Sequence, residues 1–215
     1  MCANHQDPDR MAEFSRVKAA LEAAECPSAD FGRFTSGRIP DEIRPSVFDT
    51  RRAVPVLLAL LPTVVHRDVL RAIVAHLASP AARPVAAEPL IALFRDWTDS
   101  YDSPVEWGIG NAISVVTTPD HVDDLLDLAQ DPKHGRARQM IVERLGRISR
   151  DDRIVPLLRR LAVDPDVALH AMGGLRRRLG AADAADVIQP LLNHAADSVR
   201  QAAQQSMSKI RRSLK

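Results

Sequence analysis

The sequence predicts an all-α protein: an α-solenoid, or superhelix, of about five antiparallel helix pairs with an N-terminal helix before them. Two apolar patterns that repeat along the chain at nearly the same interval support this fold class. In the second helix of each pair, an apolar anchor is followed by small or apolar residues four and eight positions later. In the first helix, two adjacent apolar residues recur. The anchors are Val69, Val105, Ala137, Val167 and Val199, and the apolar pairs begin at Leu57, Leu90, Leu125, Leu157 and Leu191.

The spacing and the composition both favour stacked helices. The anchors lie 30 to 36 residues apart and the apolar pairs 32 to 35 apart, so two separate patterns share one period. Apolar residues make up 46% of the chain and aromatic residues only 4%, which predicts a core of Leu, Ala, Val and Ile. Alternating apolar and polar runs are missing, which disfavours propeller blades and leucine-rich repeats. Cys2 and Cys26 both lie near the N-terminus, so neither a disulfide framework nor a cysteine zinc site is expected.

The first 49 residues are predicted to precede the repeats. Apolar residues recur on one face of Met11–Cys26, which predicts a helix. Prolines and glycines interrupt Pro27–Asp49, so this stretch is expected to form an irregular strap against the first repeat, with a helical turn near Asp41–Arg44. The repeat array is predicted to cover residues 51–215, and the chain to form a single domain overall.

Prolines, capping residues and Asp-Pro breaks set the predicted helix boundaries. The clearest start is Ser103-Pro104-Val105-Glu106, which is typical of a capping box with proline at the first helical position. The predicted first helices are Arg51–Leu61, Pro84–Trp97, Asp120–Leu128, Asp152–Leu161 and Ala184–Leu192. The predicted second helices are Arg67–Leu77, Pro104–Val116, Arg136–Ile148, Asp166–Leu179 and Ser198–Arg212.

The repeat resembles short HEAT-like repeats of bacterial proteins, including phycobilin-lyase-type repeats. The segments that carry the likeness are Asp197-Ser198-Val199-Arg200-Gln201-Ala202-Ala203 and Asp68-Val69-Leu70-Arg71, and the likeness covers roughly Arg51–Arg211. Two further segments, Trp107-Gly108-Ile109-Gly110-Asn111 and Arg138-Gln139-Met140-Ile141, are similar to the centre of uncharacterised bacterial HEAT-repeat proteins. The resemblance implies the fold and carries over no established activity, because this architecture serves many functions.

Candidate contact residues come from one stripe of the second helices. In curved helical arrays the second helix of each pair commonly lines the concave, partner-binding face, and the stripe contains the positions two and six after each anchor. In the middle repeats this stripe is polar with one tryptophan, which favours a contact patch. The alternative is structural: Trp107 fills space left by Gly108 and Gly110, and Asn111 caps a neighbouring turn. The predicted partner-binding residues are Arg71, Trp107, Asn111, Arg138, Gln139 and Glu143.

A basic region in the C-terminal half is a second candidate, as a phosphate-contacting patch. It consists of Arg159, Arg160, Arg176, Arg177 and Arg178. Aromatic stacking partners are absent nearby, which disfavours base recognition, and contact of arginines with helix C-terminal carbonyls is the commoner role. Residues 133–215 carry 17 Lys+Arg and 8 Asp+Glu, a balance of +9 against −8 for residues 1–132, so a charged partner can be steered to one end.

Signatures of chemistry are missing from the sequence. The acidic run from Asp120 to Asp127 lacks the glycine and the final glutamate of a calcium-binding loop, and helix N-termini favour such residues. The histidines are scattered, and neither a nucleophile elbow nor a phosphate-binding glycine loop occurs. No catalytic residue, metal or cofactor is expected. The longest apolar stretch, Val54–Leu61, is too short to span a bilayer and the N-terminus is polar, so a cytoplasmic protein without a membrane partner is expected.

The predicted function is that of a non-enzymatic scaffold or adaptor that binds a protein or peptide on its concave surface. The alternative is a HEAT-like DNA-binding protein or an alkylpurine DNA glycosylase-like repair protein, with nucleic acid bound through the basic C-terminal half. The residues that could serve as the groove tryptophans and the catalytic carboxylate would then be Trp97, Trp107, Glu106 and Glu143. The characteristic Trp-Asp-aliphatic segment is missing. A tetrapyrrole lyase or chaperone is a further alternative by analogy, which the single tyrosine disfavours.

Overall fold

The computed structural model describes residues 7–26, 31, 49–98, 103–148 and 150–213, which form helices and turns and contain no strand. The all-α prediction is therefore confirmed. The α-helices are α1 (Pro8–Ala23), α2 (Thr50–Leu60), α3 (Arg67–Leu77), α4 (Ala87–Arg95), α5 (Pro104–Val116), α6 (Val122–Gln130), α7 (Gln139–Leu145), α8 (Ile154–Leu161), α9 (Ala168–Leu179), α10 (Ala181–Ile188) and α11 (Asp197–Ser213). Short 3-10 helices lie at Leu61–Thr63, Pro80–Ala82, Pro119–His121, Pro132–Arg138 and Gln189–Asn193.

The helices pack as consecutive pairs. Each first helix contacts its second helix, in the pairs α2/α3, α4/α5, α6/α7, α8/α9 and α10/α11. The second helices also contact one another in chain order, α3 on α5, α5 on α7, α7 on α9 and α9 on α11. All five predicted anchors are buried, so the repeated apolar pattern forms a core that follows the second helices from one pair to the next. The first-helix pattern weakens at the last pair, where Leu191 and Leu192 are only partly buried.

Two second helices have the predicted bounds, and one differs for a clear reason. Helices α3 and α5 begin and end where the sequence indicates. The prediction of a helix over Arg136–Ile148 is wrong at both ends, because α7 covers only Gln139–Leu145. Gly135 has φ 44° and ψ −127°, which is not helical, and a 3-10 helix continues to Arg138. The anchor Ala137 therefore lies before α7, although its side chain is buried as predicted.

Close packing explains one of the two glycines of α5. A Cβ atom at Gly110 would lie 2.2 Å from the carbonyl oxygen of Ala137, so only glycine lets this backbone approach the helix. A Cβ at Gly108 would meet only a Val74 methyl carbon at 4.0 Å, which is ordinary contact. Close helix packing therefore accounts for Gly110.

Of the predicted strap, the structure describes only Phe31 and Asp49. Phe31 is buried, packs edge-on against Phe14 of α1 with ring centroids 5.8 Å apart, and stacks on His76 of α3 at 5.3 Å. At this residue the segment therefore packs against the first repeat. The predicted turn at Asp41–Arg44 and Cys2 lie outside the described residues, and the division at residue 49 stays a prediction. In the described part of the chain, none of the helices combines the length and the hydropathy needed to cross a membrane.

Candidate partner-binding groove

A groove crosses the ends of four successive second helices. Its first half is a depression of about 430 Å³ between α5 and the segment that leads into α7, and its second half is a smaller one of about 180 Å³ between α9 and α11. Arg136 and Gln139 line both halves, so the two depressions lie next to each other. The first half is lined by Ser103, Pro104, Trp107, Arg136, Ala137 and Gln139. The second half is lined by Arg136, Gln139, Pro165, Asp166, Ala168, Leu169, His170, Ser198, Gln201, Ala202 and Gln205.

In the last four repeats, the first row of the predicted stripe lies in this groove. It holds the residues two positions after each anchor, and α5, α7, α9 and α11 contribute Trp107, Gln139, Leu169 and Gln201. Trp107 is 42% exposed and Leu169 is 37% exposed, so both are open to contact from outside. The Trp107 indole Nε1 donates to Gln139 Oε1 at 3.3 Å, and Gln139 Nε2 donates to the Asp166 carbonyl at 2.8 Å. These hydrogen bonds hold the exposed indole in place.

The second row, six positions after each anchor, is polar and lies one helical turn further on. Glu143 Oε1 accepts from Arg147 at 2.6 Å and from Arg177 at 3.0 Å, so one carboxylate joins α7 to α9. The equivalent position on α9 is Gly173, whose added Cβ would lie 3.8 Å from the Arg177 guanidinium. Asn111 is half-buried on α5, and its backbone carbonyl accepts a hydrogen bond from the Ser114 hydroxyl.

A buried polar pair supports the groove from beneath. Glu106 follows Ser103 by one turn of α5, and its Oε1 lies 2.6 Å from Nδ1 of His134, with both side chains almost fully buried. The His134 ring packs on Phe94 at 4.2 Å. Burial lowers the pKa of His134 to about 4, so the ring is neutral at neutral pH. Neither group reaches solvent, which makes the pair a tie between α5 and the segment before α7.

The capping box predicted at Ser103 is therefore wrong for the serine hydroxyl. Ser103 is the N-cap residue and Pro104 occupies the first helical position, as expected, but the Ser103 side chain makes no capping hydrogen bond. Its oxygen is buried without a partner. The Glu106 carboxylate instead meets His134, a residue 28 positions away. A tertiary contact has thus replaced half of a local motif.

Arg138 was predicted to contact a partner, and the structure places it in the interior instead. It is 1% exposed, and its guanidinium donates to the carbonyls of Gly135 (2.9 Å) and Ala129 (3.2 Å) and to Asp164 Oδ2 (2.9 Å). This arginine fastens the end of α6 and the break before α9 to the segment between them. Arg71 lies on α3 near Asp68 and is not among the residues that line the groove.

The predicted basic patch divides into two parts. Arg160 donates to Gln130 at the end of α6, and Arg178 donates to the Leu145 carbonyl at the end of α7. Because α6 and α7 are antiparallel neighbours, these contacts lie at opposite ends of the helices. Arg178 at the end of α7 has the predicted commoner role, contact with a helix C-terminal carbonyl, and Arg144 does the same at Thr117, the C-cap of α5.

A larger depression of about 730 Å³ lies between α1 and the start of α3. Two of its acidic residues hold backbone amides: Asp7 accepts from the Asp9 amide at the start of α1, and Glu13 accepts from the amides of Val65 and His66. Among the described residues, no three His, Cys, Asp or Glu side chains are placed to hold a metal ion.

Sequence reasoning missed three residues around the groove. Arg136 and His170 line it, and Arg147 joins Glu143 beside it. Burial lowers the pKa of His170, while Glu143 raises it and Arg177 lowers it further. The spacing of four residues from Glu143 to Arg147 is the helical ion-pair spacing and was a usable signal. No family model, curated protein or solved structure matches this chain.

Proposed function

We propose that the chain is a non-enzymatic interaction module, a HEAT-like α-solenoid that holds a peptide segment of a protein partner in the groove. The observation that carries the proposal is the groove itself, which presents two exposed apolar side chains, Trp107 on α5 and Leu169 on α9, among amide and charged side chains. The packing of each second helix on the next one supports a superhelical stack with the groove on its concave side. Aromatic side chains that are held rigidly contribute strongly to interfaces.

The observations favour binding over catalysis at this groove. The DNA glycosylase alternative requires a carboxylate that can reach a substrate. Glu106 is buried against His134, and Glu143 is held by two arginines, so neither is presented as an accessible base. The tetrapyrrole alternative gains nothing from Cys26, whose thiol is buried just after α1.

The experiment is an affinity capture from the native host with identification by mass spectrometry. The bait is the chain itself, alongside a Trp107→Ala/Leu169→Ala variant. Val163→Ala is the matched control, because Val163 is 44% exposed and is not among the groove residues. We expect partners that the wild type and the Val163→Ala variant retain and the groove variant loses. Equal capture by all three baits would refute a role for the groove.

A further inference from the structure

Basic residues recur beyond the groove, further along the chain in three successive repeats. Continuing the stripe by one more helical turn gives the residues ten positions after each anchor, and in three successive repeats these are Arg147, Arg177 and Lys209. We name these three residues the basic row. All three are exposed. Arg147 and Arg177 meet at the Glu143 carboxylate, which places them side by side.

The basic row carries more positive charge than the Glu143 carboxylate, which Arg147 and Arg177 share, can neutralise. Arg147 and Arg177 divide a single Glu143 between them. Arg176 lies close enough to Arg177 and Arg212 that their charges add to the effect of burial in lowering its pKa. Asp151 and Asp152 line a neighbouring depression with Arg177, but the Asp151 carboxylate is already held by Arg153 at 2.7 Å. An added anion would therefore find several arginines with donor capacity left.

The groove and the basic row differ in chemistry. The groove combines the exposed apolar side chains of Trp107 and Leu169 with one charge of each sign, Arg136 and Asp166, whereas the basic row carries three positive charges. On α9, eight residues of helix separate Leu169 from Arg177, which is about 12 Å along the axis, or about four residues of an extended peptide.

We propose that the segment bound in the groove is an acidic peptide. Apolar side chains of the peptide pack against Trp107 and Leu169, and carboxylates about four residues away pair with the basic row. Bidentate hydrogen bonding suits guanidinium groups to carboxylates. A nucleic acid would use the same cations but would leave the exposed Leu169 without an apolar contact. This inference rests on the proposed peptide-binding function.

The test is a selection of random peptides of about twelve residues, displayed on phage, against the purified full chain. We expect enriched peptides that combine an apolar residue with Asp or Glu about four positions away. Enriched peptides without acidic residues would overturn this inference and leave the proposed function standing. A selection that enriches no peptide would count against both.

The leading peptide is then measured against variants by fluorescence anisotropy. Replacing its Asp and Glu by Asn and Gln should weaken binding to the wild type about tenfold, since each exposed ion pair contributes modestly. The Arg147→Gln/Arg177→Gln/Lys209→Gln variant should lose a similar factor. The matched control is Arg159→Gln/Arg160→Gln, which removes exposed arginines of α8 and should bind as the wild type does.

A labelled DNA duplex and a labelled single strand are measured on the same proteins. If either binds more tightly than the leading peptide and loses that affinity in the basic-row variant, the partner is a polyphosphate chain and the acidic-peptide inference fails. If the amide-replaced peptide binds as tightly as the acidic one, the inference also fails. If both nucleic acids bind weakly, and bind the control variant and the basic-row variant equally, the result supports the acidic-peptide inference.

Discussion

The buried pair beneath the groove makes stability depend on pH in a calculable way. His134 is 1% exposed, and burial lowers its pKa from 6.5 to about 4. Above pH 6.5 the ring is neutral in the folded and unfolded chains, so stability is unaffected. Between pH 6.5 and pH 4 the unfolded chain binds a proton that the folded chain does not. The free energy of unfolding therefore falls as the pH falls through this window, and the His134 contribution levels off below pH 4.

The size of the loss follows from the shift in pKa. One pKa unit corresponds to about 1.4 kcal/mol, so the lowering from 6.5 to about 4 predicts a loss of about 3 kcal/mol. This is a large part of the total stability of an ordinary domain. The assay is urea unfolding followed by circular dichroism at several pH values between neutral pH and pH 4.

Variants separate the histidine from all other titrating groups. His134→Gln and His134→Phe carry no proton at this position, so each should lose about 3 kcal/mol less than the wild type over the window, whatever its stability at neutral pH. Glu106→Gln keeps the imidazole buried and should retain the loss. If the wild type and both His134 variants lose stability in parallel, His134 does not titrate as described and the reasoning fails.

Two other predictions concern the packing around α5 and α7. Gly108→Ala should raise the free energy of unfolding by up to about 1 kcal/mol, because its Cβ makes only an ordinary contact with Val74 and alanine is the better helix former. Gly110→Ala should lower it by about 1–3 kcal/mol, because its Cβ would collide with the Ala137 backbone; equal effects of the two changes would contradict this contrast. Arg138→Met should cost about 1–3 kcal/mol in urea unfolding, because it leaves the carbonyls of Gly135 and Ala129 without their buried donor, and an unchanged free energy of unfolding would contradict this.

The positions of the groove residues could be predicted because helical periodicity decides which residues share a stripe. Once the anchors Val105, Ala137, Val167 and Val199 are known, the row two positions later is fixed by geometry. The structure finds Trp107 and Gln139 in hydrogen-bond contact on neighbouring helices, as their shared row requires. The register survives even where α7 begins late, because Ala137 is buried in a 3-10 helix.

The errors have a common physical origin in contacts between distant residues. Arg138 has the sequence context of a surface residue, and its burial depends on acceptors at Ala129, Gly135 and Asp164 that become neighbours only in the fold. Glu106 fits a local capping motif, yet its carboxylate meets His134, 28 positions away. Local patterns describe what a side chain can do, and tertiary packing decides which option is used.

These corrected residues also explain how an exposed groove can be rigid. Arg138 and the Glu106–His134 pair lie directly beneath the segment that carries Arg136 and Gln139, and they tie it to α5 and to the start of α9. Trp107 is then held by Gln139, whose amide is held by the Asp166 carbonyl. A side chain fixed before binding loses less conformational entropy when a partner arrives. The buried polar side chains therefore help to position the indole, which is the contact that the proposed function assigns to a partner.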